Sequence, residues 1–235
     1  MEQPSKEAKV HQVFERIAPQ YDPMNSIISF QLHKRWRKDV MKRMSVQAGS
    51  VIADVCCGTG EWSLALAEAV GPTGEVTGVD FSGQMLSVAA NKSRPENSGP
   101  IIWQIGNAMA LDFADDQFDY VTIGFGLRNV EDHQQVLQEL YRITKPGGMV
   151  VCLETSQPEI PGWKQLFRFY FHYIMPFFGK LFAKSFQEYA WLQESAHSFP
   201  GKEQLRDDFE QAGFRDVQIK SYAGGVTAMH MGFKP

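Results

Sequence analysis

Residues 50–60, Ser50-Val51-Ile52-Ala53-Asp54-Val55-Cys56-Cys57-Gly58-Thr59-Gly60, join a short apolar run to a glycine-rich turn. The run reads as a strand, and the turn opens a helix from Trp62 to Val70. Gly58 and Gly60 let the backbone reverse tightly and approach a ligand with no Cβ in the way. Glu75 to Asp80 reads as a second strand and Met85 to Lys92 as a second helix. Strand, helix, strand, helix is the pattern of βαβ units over a parallel sheet, so the fold class is α/β.

Outward from this stretch the alternation continues. Ile101 to Ile105 and Phe118 to Ile123 are strands, Glu131 to Ile143 is a helix, and Met149 to Glu154 is a strand. Lys145-Pro146-Gly147-Gly148 is expected to separate the last two, since proline ends a helix and paired glycines allow a reversal. A helix from Lys202 to Ala212, capped by Gly213, leads to strands at Val217 to Tyr222 and Val226 to Phe233. Joined by Ala223-Gly224-Gly225, these form an antiparallel hairpin that supplies edge strands. Right-handed crossovers gather the strand ends on one edge, where a ligand is expected.

Two segments stand outside this alternation. Residues 6–46 have helical patterning, with Lys34, Arg35, Arg37, Lys38, Lys42 and Arg43 around Trp36 and Met41. Residues 163–192 hold 12 aromatic side chains interleaved with Lys164, Arg168, Lys180 and Lys184, and read as an inserted helical segment. The chain is therefore one domain: an N-terminal helical lid (1–46), a ligand-binding βαβ core (47–156), an aromatic helical insertion (157–200), and a closing helix and hairpin (201–235).

Composition narrows the function classes. A chain that is 43% hydrophobic and 21% charged is globular, which excludes collagen-like and disordered classes. Twenty-three Lys and Arg against 27 Asp and Glu leave a formal charge of −4, which argues against nucleic acid as a partner. Cys56, Cys57 and Cys152 lack metal-ligand spacing, so no metal site is expected and a reducing, cytoplasmic compartment is favoured. The polar start Met1-Glu2-Gln3-Pro4 has no signal-peptide core. The most apolar uncharged run, Phe169 to Gly179, has 11 residues, whereas a membrane-spanning helix needs about 20.

The glycine turn admits two ligands. A dinucleotide fingerprint needs a third small residue, filled by Ser63, and a pyrophosphate at the helix N-terminus. The Asp54 carboxylate just before the turn is awkward beside a pyrophosphate but suits a ligand carrying an ammonium and a sulfonium, which favours S-adenosylmethionine. Asp80, ending the second strand 20 residues after Gly60, can accept both hydroxyls of the ribose that the two ligands share, or can cap the Phe81-Ser82 turn. Asn107, in Gly106-Asn107-Ala108 after the third strand, can meet an adenine edge or be an ordinary loop asparagine.

Asp54 to Gly60, Asp80 and Asn107-Ala108 together resemble the class I S-adenosylmethionine-dependent methyltransferases. That resemblance implies a Rossmann-like, mostly parallel seven-stranded sheet. It implies that Asp54, Gly58, Thr59 and Gly60 hold the methionine end of the donor, that Asp80 holds ribose, and that Asn107 and Ala108 hold adenine. Cys56 departs from the pattern, standing where the class has its first glycine. Tyr21-Asp22-Pro23-Met24-Asn25 with Ser29, His33 and Trp36, and Arg142-Ile143-Thr144-Lys145-Pro146-Gly147-Gly148 through Glu154-Thr155-Ser156, are similar to the two signatures of the ubiquinone/menaquinone biosynthesis C-methyltransferases. Ile143-Thr144 departs from the second signature at a helix end, where no functional change is expected. Gly124-Phe125-Gly126-Leu127-Arg128-Asn129 and the aromatic insertion point to the menaquinone branch.

The resemblance implies methyl transfer from S-adenosylmethionine to a ring carbon of a polyprenyl naphthoquinol, converting demethylmenaquinol to menaquinol. The quinol must be the substrate form, because a quinone ring is electrophilic and a phenol of pKa about 10 must shed a proton to enrich the carbon. Arg128 and Asn129 are expected to face the methyl group. Arg128 stays protonated and can stabilise a phenolate or polarise a water, and Asn129 can orient the ring. The structural alternative is a turn in which Arg128 pairs with Glu131 or Asp132. Tyr21 and His33 are candidates to close over the site, with His33 the better titratable group; a surface histidine in a basic helix is the competing reading. Glu154 points inward as a further candidate or serves a cap or salt bridge, and His172 reads as packing.

The aromatic insertion suits the boundary between water and lipid, where a prenyl tail would keep the head group, and suits equally an aromatic core or a homodimer interface. Two other functions remain compatible with these residues. One is C-methylation of a benzoquinol or another small molecule, and the other is non-catalytic binding of S-adenosylmethionine.

Overall fold

The computed structural model describes residues 6–158, 160, 162, 165, 195 and 199–235. Seven strands form one sheet: β1 (Val51–Val55), β2 (Glu75–Asp80), β3 (Ile101–Ile105), β4 (Phe118–Gly124), β5 (Thr144–Thr155), β6 (Arg215–Tyr222) and β7 (Thr227–Phe233). Their order is β3-β2-β1-β4-β5-β7-β6. The pairs among β1 to β5 are parallel, and β7 runs antiparallel to both its neighbours. The expected class I architecture is therefore present. β1 lies between β2 and β4 and is buried from Ile52 to Val55, which is why its sequence is a nearly unbroken apolar run.

Helices α4 (Glu61–Val70), α5 (Gly83–Ala90), α6 (His133–Ile143) and α7 (Lys202–Gln211) cover the sheet. α6 starts two residues later than its apolar pattern suggests, because the Asp132 carboxylate accepts the Gln135 backbone N–H at 3.0 Å and caps the helix there. From β1 the chain steps outward to β2 on one side and later resumes on the other with β4. The strand order reverses between them, which opens a crevice at the C-terminal ends of these strands.

Two sequence expectations are corrected. Lys145-Pro146-Gly147-Gly148 does not precede the fifth strand but lies within it: Thr144 pairs with Phe118, then Met149 pairs with Tyr120, and the residues between form a bulge. The glycines are drawn in by the C-terminus, as Gly147 N–H donates to Lys234 O at 2.8 Å and Lys234 N–H to Gly148 O at 3.0 Å. The terminal hairpin supplies one edge strand rather than two. β7 inserts between β5 and β6, so the sheet edges are β6 and β3.

Three helices precede the sheet: α1 (Lys6–Ile17), α2 (Tyr21–Ile28) and α3 (Leu32–Met44). On α1, Val10, Phe14 and Ile17 recur at helical spacing and bury against Met85 of α5 and Phe81. On α3, Val40 and Met44 join the cluster of Ile52, Trp62 and Leu66. Each such buried side chain stabilises the docking by roughly 1.5–3 kcal/mol. The predicted aromatic helices over 163–192, and His172 with them, lie outside the described residues apart from residue 165.

Candidate active site

After β1 the chain reverses through Cys56, Gly58 and Gly60, all in the left-handed region, with φ of +54°, +55° and +74°. Glycine adopts this freely, whereas Cys56 bears a cost of about 1–2 kcal/mol. The space around the turn explains two of the small residues. A Cβ on Gly60 would stand 2.4 Å from the Trp103 ring, and a Cβ on Gly126 would stand 2.4 Å from Cys56 Cβ. The loop is thus clasped between β3 and the Gly124-Phe125-Gly126 turn after β4.

Asp80 takes the local structural role considered for it, holding the backbone of the turn that follows β2. Its Oδ2 accepts the Gly58 N–H at 2.8 Å and its Oδ1 accepts the Ser82 N–H at 2.9 Å, so it ties the glycine loop to the start of α5. Ser82, not Asp80, caps α5: its hydroxyl accepts the Met85 N–H at 3.1 Å and donates to Glu15 at 2.8 Å. Asp80 nonetheless borders the cavity beside the loop. Burial pushes its carboxyl up, and the backbone N–H groups oppose that shift.

The cavity holds about 740 Å³, its open mouth included, within the roughly 300–1,000 Å³ of small-molecule sites. Tyr21, Cys56, Gly58, Asp80, Asn107, Ala108 and Asn129 border it, as the sequence suggested for six of them. Glu7 and Glu131 add two more carboxylates, and the lining residues among those described include no lysine or arginine. Asn107 accepts the Met109 N–H at 2.9 Å and donates to Glu7 at 3.2 Å, so it shapes its loop and meets α1. Asn129 donates to Phe125 O at 3.2 Å, and its buried Oδ1 has no partner among the described residues. Burial pushes the Tyr21 hydroxyl up, so it stays protonated.

The other sequence-predicted residues stand back from this cavity. The Asp54 carboxylate points to the opposite face of β1, where it accepts from Ser63 Oγ at 2.6 Å and Thr122 Oγ1 at 2.7 Å. Burial pushes it up to about 6. Thr59 donates to Asp22 at 2.5 Å, and Asp22 also meets Lys92 at 2.6 Å, which pins the loop to α2. His33 holds Ser29 Oγ at 2.5 Å through Nδ1, and burial together with Arg37 and Lys34 takes it down to about 4. Arg128 pairs with neither Glu131 nor Asp132. Its Nη1 meets Glu154 Oε1 and Phe125 O, both at 2.6 Å, and Glu154 Oε2 accepts its backbone N–H at 3.2 Å. Glu154 therefore takes the salt-bridge role.

Sequence reasoning placed the first helix in a lid but named none of its residues for the site. Lys6 Nζ donates to Val130 O at 2.5 Å, Glu7 meets Asn107, and Glu15 accepts from Ser82 Oγ and the Gln84 N–H. The apolar stripe of α1 was readable, but the partners of its charged side chains lie up to 124 residues away in sequence.

Comparison with known proteins decides the family. The model of the ubiE/COQ5 methyltransferase family matches residues 2–234. The chain belongs to that family. This ubiE/COQ5 methyltransferase is 61% identical to a protein of Anoxybacillus flavithermus named demethylmenaquinone methyltransferase, over 99% of this chain and 98% of the relative. It is 62% identical to one of the same name from Lysinibacillus sphaericus, over 98% and 97%. Among solved structures it resembles a SAM-dependent methyltransferase from Aquifex aeolicus, with TM-score 0.63, 16% identity and coverage of 85% and 89%. It also resembles the [4+2]-cyclase SpnF, with TM-score 0.69, 17% identity and coverage of 99% and 97%. At such identities the likeness shows the fold alone. A cyclase on the same frame underlines that the fold by itself does not determine the reaction.

Proposed function

We propose that this ubiE/COQ5 methyltransferase transfers a methyl group from S-adenosylmethionine to a ring carbon of demethylmenaquinol, the final step of menaquinone biosynthesis. The names of relatives at 61% and 62% identity support the substrate. The observation that carries the donor is the charge of the cavity. Among the described residues Glu7, Asp80 and Glu131 border it without a lysine or arginine, so a pyrophosphate would meet like charge, while an ammonium and a sulfonium would meet partners.

When bound, the donor supplies a methyl group already activated by a positively charged sulfur. Asp80 is assigned to ribose: a carboxylate offers about four acceptor positions, and the Gly58 and Ser82 N–H groups use two. Asn107 and Ala108 border the adenine end, and Gly58 lets the backbone come close to the methionine end. Asp54 acts through the frame, holding Ser63 of α4 and Thr122 of β4 beneath the loop, while Thr59 and Gly60 fix the loop's shape.

Asn129 Oδ1 is the acceptor best placed to take a hydrogen bond from the ring hydroxyl, because it is buried, unpartnered and on a residue that borders the cavity. Tyr21 closes the wall as a neutral donor. Arg128, held behind Phe125, lends positive charge to that end of the site. His33 is neutral at pH 7 and serves as a hydrogen-bonding residue of the lid. The division into lid, core, insertion and closing unit is part of this reading.

No helix among the described residues is long and apolar enough to cross a membrane. A prenyl tail stays in the bilayer, so we place the enzyme in the cytoplasm with peripheral access to the membrane; a homodimer is compatible with this. The test is turnover of labelled S-adenosylmethionine on chemically reduced demethylmenaquinone and on a demethylated benzoquinol. Label in the naphthoquinol is expected. Preference for the benzoquinol, or stoichiometric binding without turnover, would overturn the assignment.

A further inference from the structure

We propose that the outer face of α3, with the turn before it, is the surface by which this protein lies on an anionic bilayer. This deepens the quinol reading, since a tailed substrate is reached only at a membrane surface.

Three observations converge. The first is charge: Lys34, Arg35, Lys38 and Lys42 are all exposed and fall within an arc of about 100° on a helix with 3.6 residues per turn. No carboxylate among the described residues pairs with any of the four, whereas Arg43 pairs with Asp39 at 2.8 Å. Asp39, the one acid of α3, is also held by the Tyr222 hydroxyl at 2.7 Å. A concentrated cationic stripe on a chain of net charge −4 runs against the protein's overall field.

The second observation is apolar exposure at the head of the stripe. Ile27 is 39% exposed and Phe30 68% exposed. The third is conformation: Phe30 and Gln31 both adopt left-handed φ, +49° and +59°, a cost that a bulky aromatic seldom bears. Cations beside an apolar head are what an interfacial helix presents to anionic lipid, with the ammonium groups among headgroups and the ring at the acyl boundary.

The opposite side of α3 faces the protein. Val40 and Met44 are buried, and Arg37, with its side chain 15% exposed, reaches Glu61 at 3.8 Å at the start of α4. One helix would thus rest on lipid with one face and on the cluster of Ile52, Trp62 and Leu66 with the other.

Co-sedimentation with phosphatidylglycerol vesicles and with phosphatidylcholine vesicles tests this. The wild type is expected to bind the anionic vesicles, with affinity falling as salt rises. A Lys34→Gln/Arg35→Gln/Lys38→Gln/Lys42→Gln variant should bind at least tenfold more weakly, and Phe30→Ser more weakly still in that background. Arginine at the three lysine positions should preserve binding. Equal binding of the quadruple variant and wild type, equal binding to both lipids, or no binding at all would overturn the proposal. So would tighter stripe-dependent binding to polyglutamate than to vesicles, which would assign the face to an acidic protein. Turnover of a tail-less reduced naphthoquinol, which needs no bilayer, reports on the proposed reaction separately and should match wild type in the variants.

Discussion

The Arg128 guanidinium, in the helical turn after β4, and the Glu154 carboxylate at the end of β5 meet at 2.6 Å, with side chains 8% and 1% exposed. Removing one partner leaves a buried charge without compensation, at a cost of about 3–5 kcal/mol, whereas replacing both costs far less. Glu154→Ala is therefore expected to lower the unfolding free energy by that amount in urea titration. The double change Arg128→Met/Glu154→Leu should lose less than the sum of the two single changes. A Glu154→Ala cost below about 1 kcal/mol would show that the pair is not held as described.

Cys56 and Gly126 form a second interlocking pair. The Gly126 φ of −104° strains no side chain, so Gly126→Ala is opposed by Cys56, whose Cβ would stand at 2.4 Å and Sγ at 3.0 Å. Overpacking of this kind costs about 1–3 kcal/mol. Cys56→Gly removes the obstruction and the left-handed strain together. Thermal melts should show Gly126→Ala destabilised in the wild-type background and tolerated in Cys56→Gly; additive losses would contradict the contact.

His230 is buried between β7 and α7, with Nε2 toward Lys202 O at 2.7 Å and its ring stacked on Phe209. Burial takes it down to about 4 from an ordinary 6.5. The unfolded chain therefore binds this proton first as pH falls. The stability held by neutral His230 is complete above about 6.5 and is lost toward pH 4, on the order of 3 kcal/mol in all. Asp54 works in the opposite sense, because its raised carboxyl favours the folded state when protonated, and that contribution is lost as pH rises through about 6. His230→Gln should flatten the acid side of a pH series of urea titrations; an unchanged slope would exclude His230 as its source.

For Asp80, the binding test is calorimetry with S-adenosylhomocysteine. Asp80→Ala removes the proposed ribose acceptor and frees Gly58 and Ser82, so affinity should fall at least tenfold, the loss of one to two hydrogen bonds to a charged group. Unchanged affinity would remove the ribose assignment.

Much of this site was legible because strands buried on both faces write themselves as apolar runs, and β1 and β2 fall where those runs lie. Asp54 was misplaced by neglect of the same rule. Side chains alternate along a strand, so with Val55 on the cavity side its predecessor must face away. Lys145 to Gly148 looked like a reversal because proline and glycine suit a bulge as well as a turn, and only the register with Phe118 and Tyr120 separates the two. The links from Arg128 to Glu154 and from Glu7 to Asn107 depend on strand order and helix docking, which no local pattern encodes.

The first helix spans the cavity mouth and is joined to its rim largely by charged side chains: Lys6 to Val130 O, Glu7 to Asn107 and Glu15 to Ser82. Each of these joins one charged group to a neutral partner, so the helix is fastened by charge-assisted hydrogen bonds and not by ion pairs. Glu7→Gln/Glu15→Gln weakens two of the three fastenings, so stopped-flow displacement of spent donor should be faster in that variant than in the wild type; equal rates would show that this helix does not retain the donor.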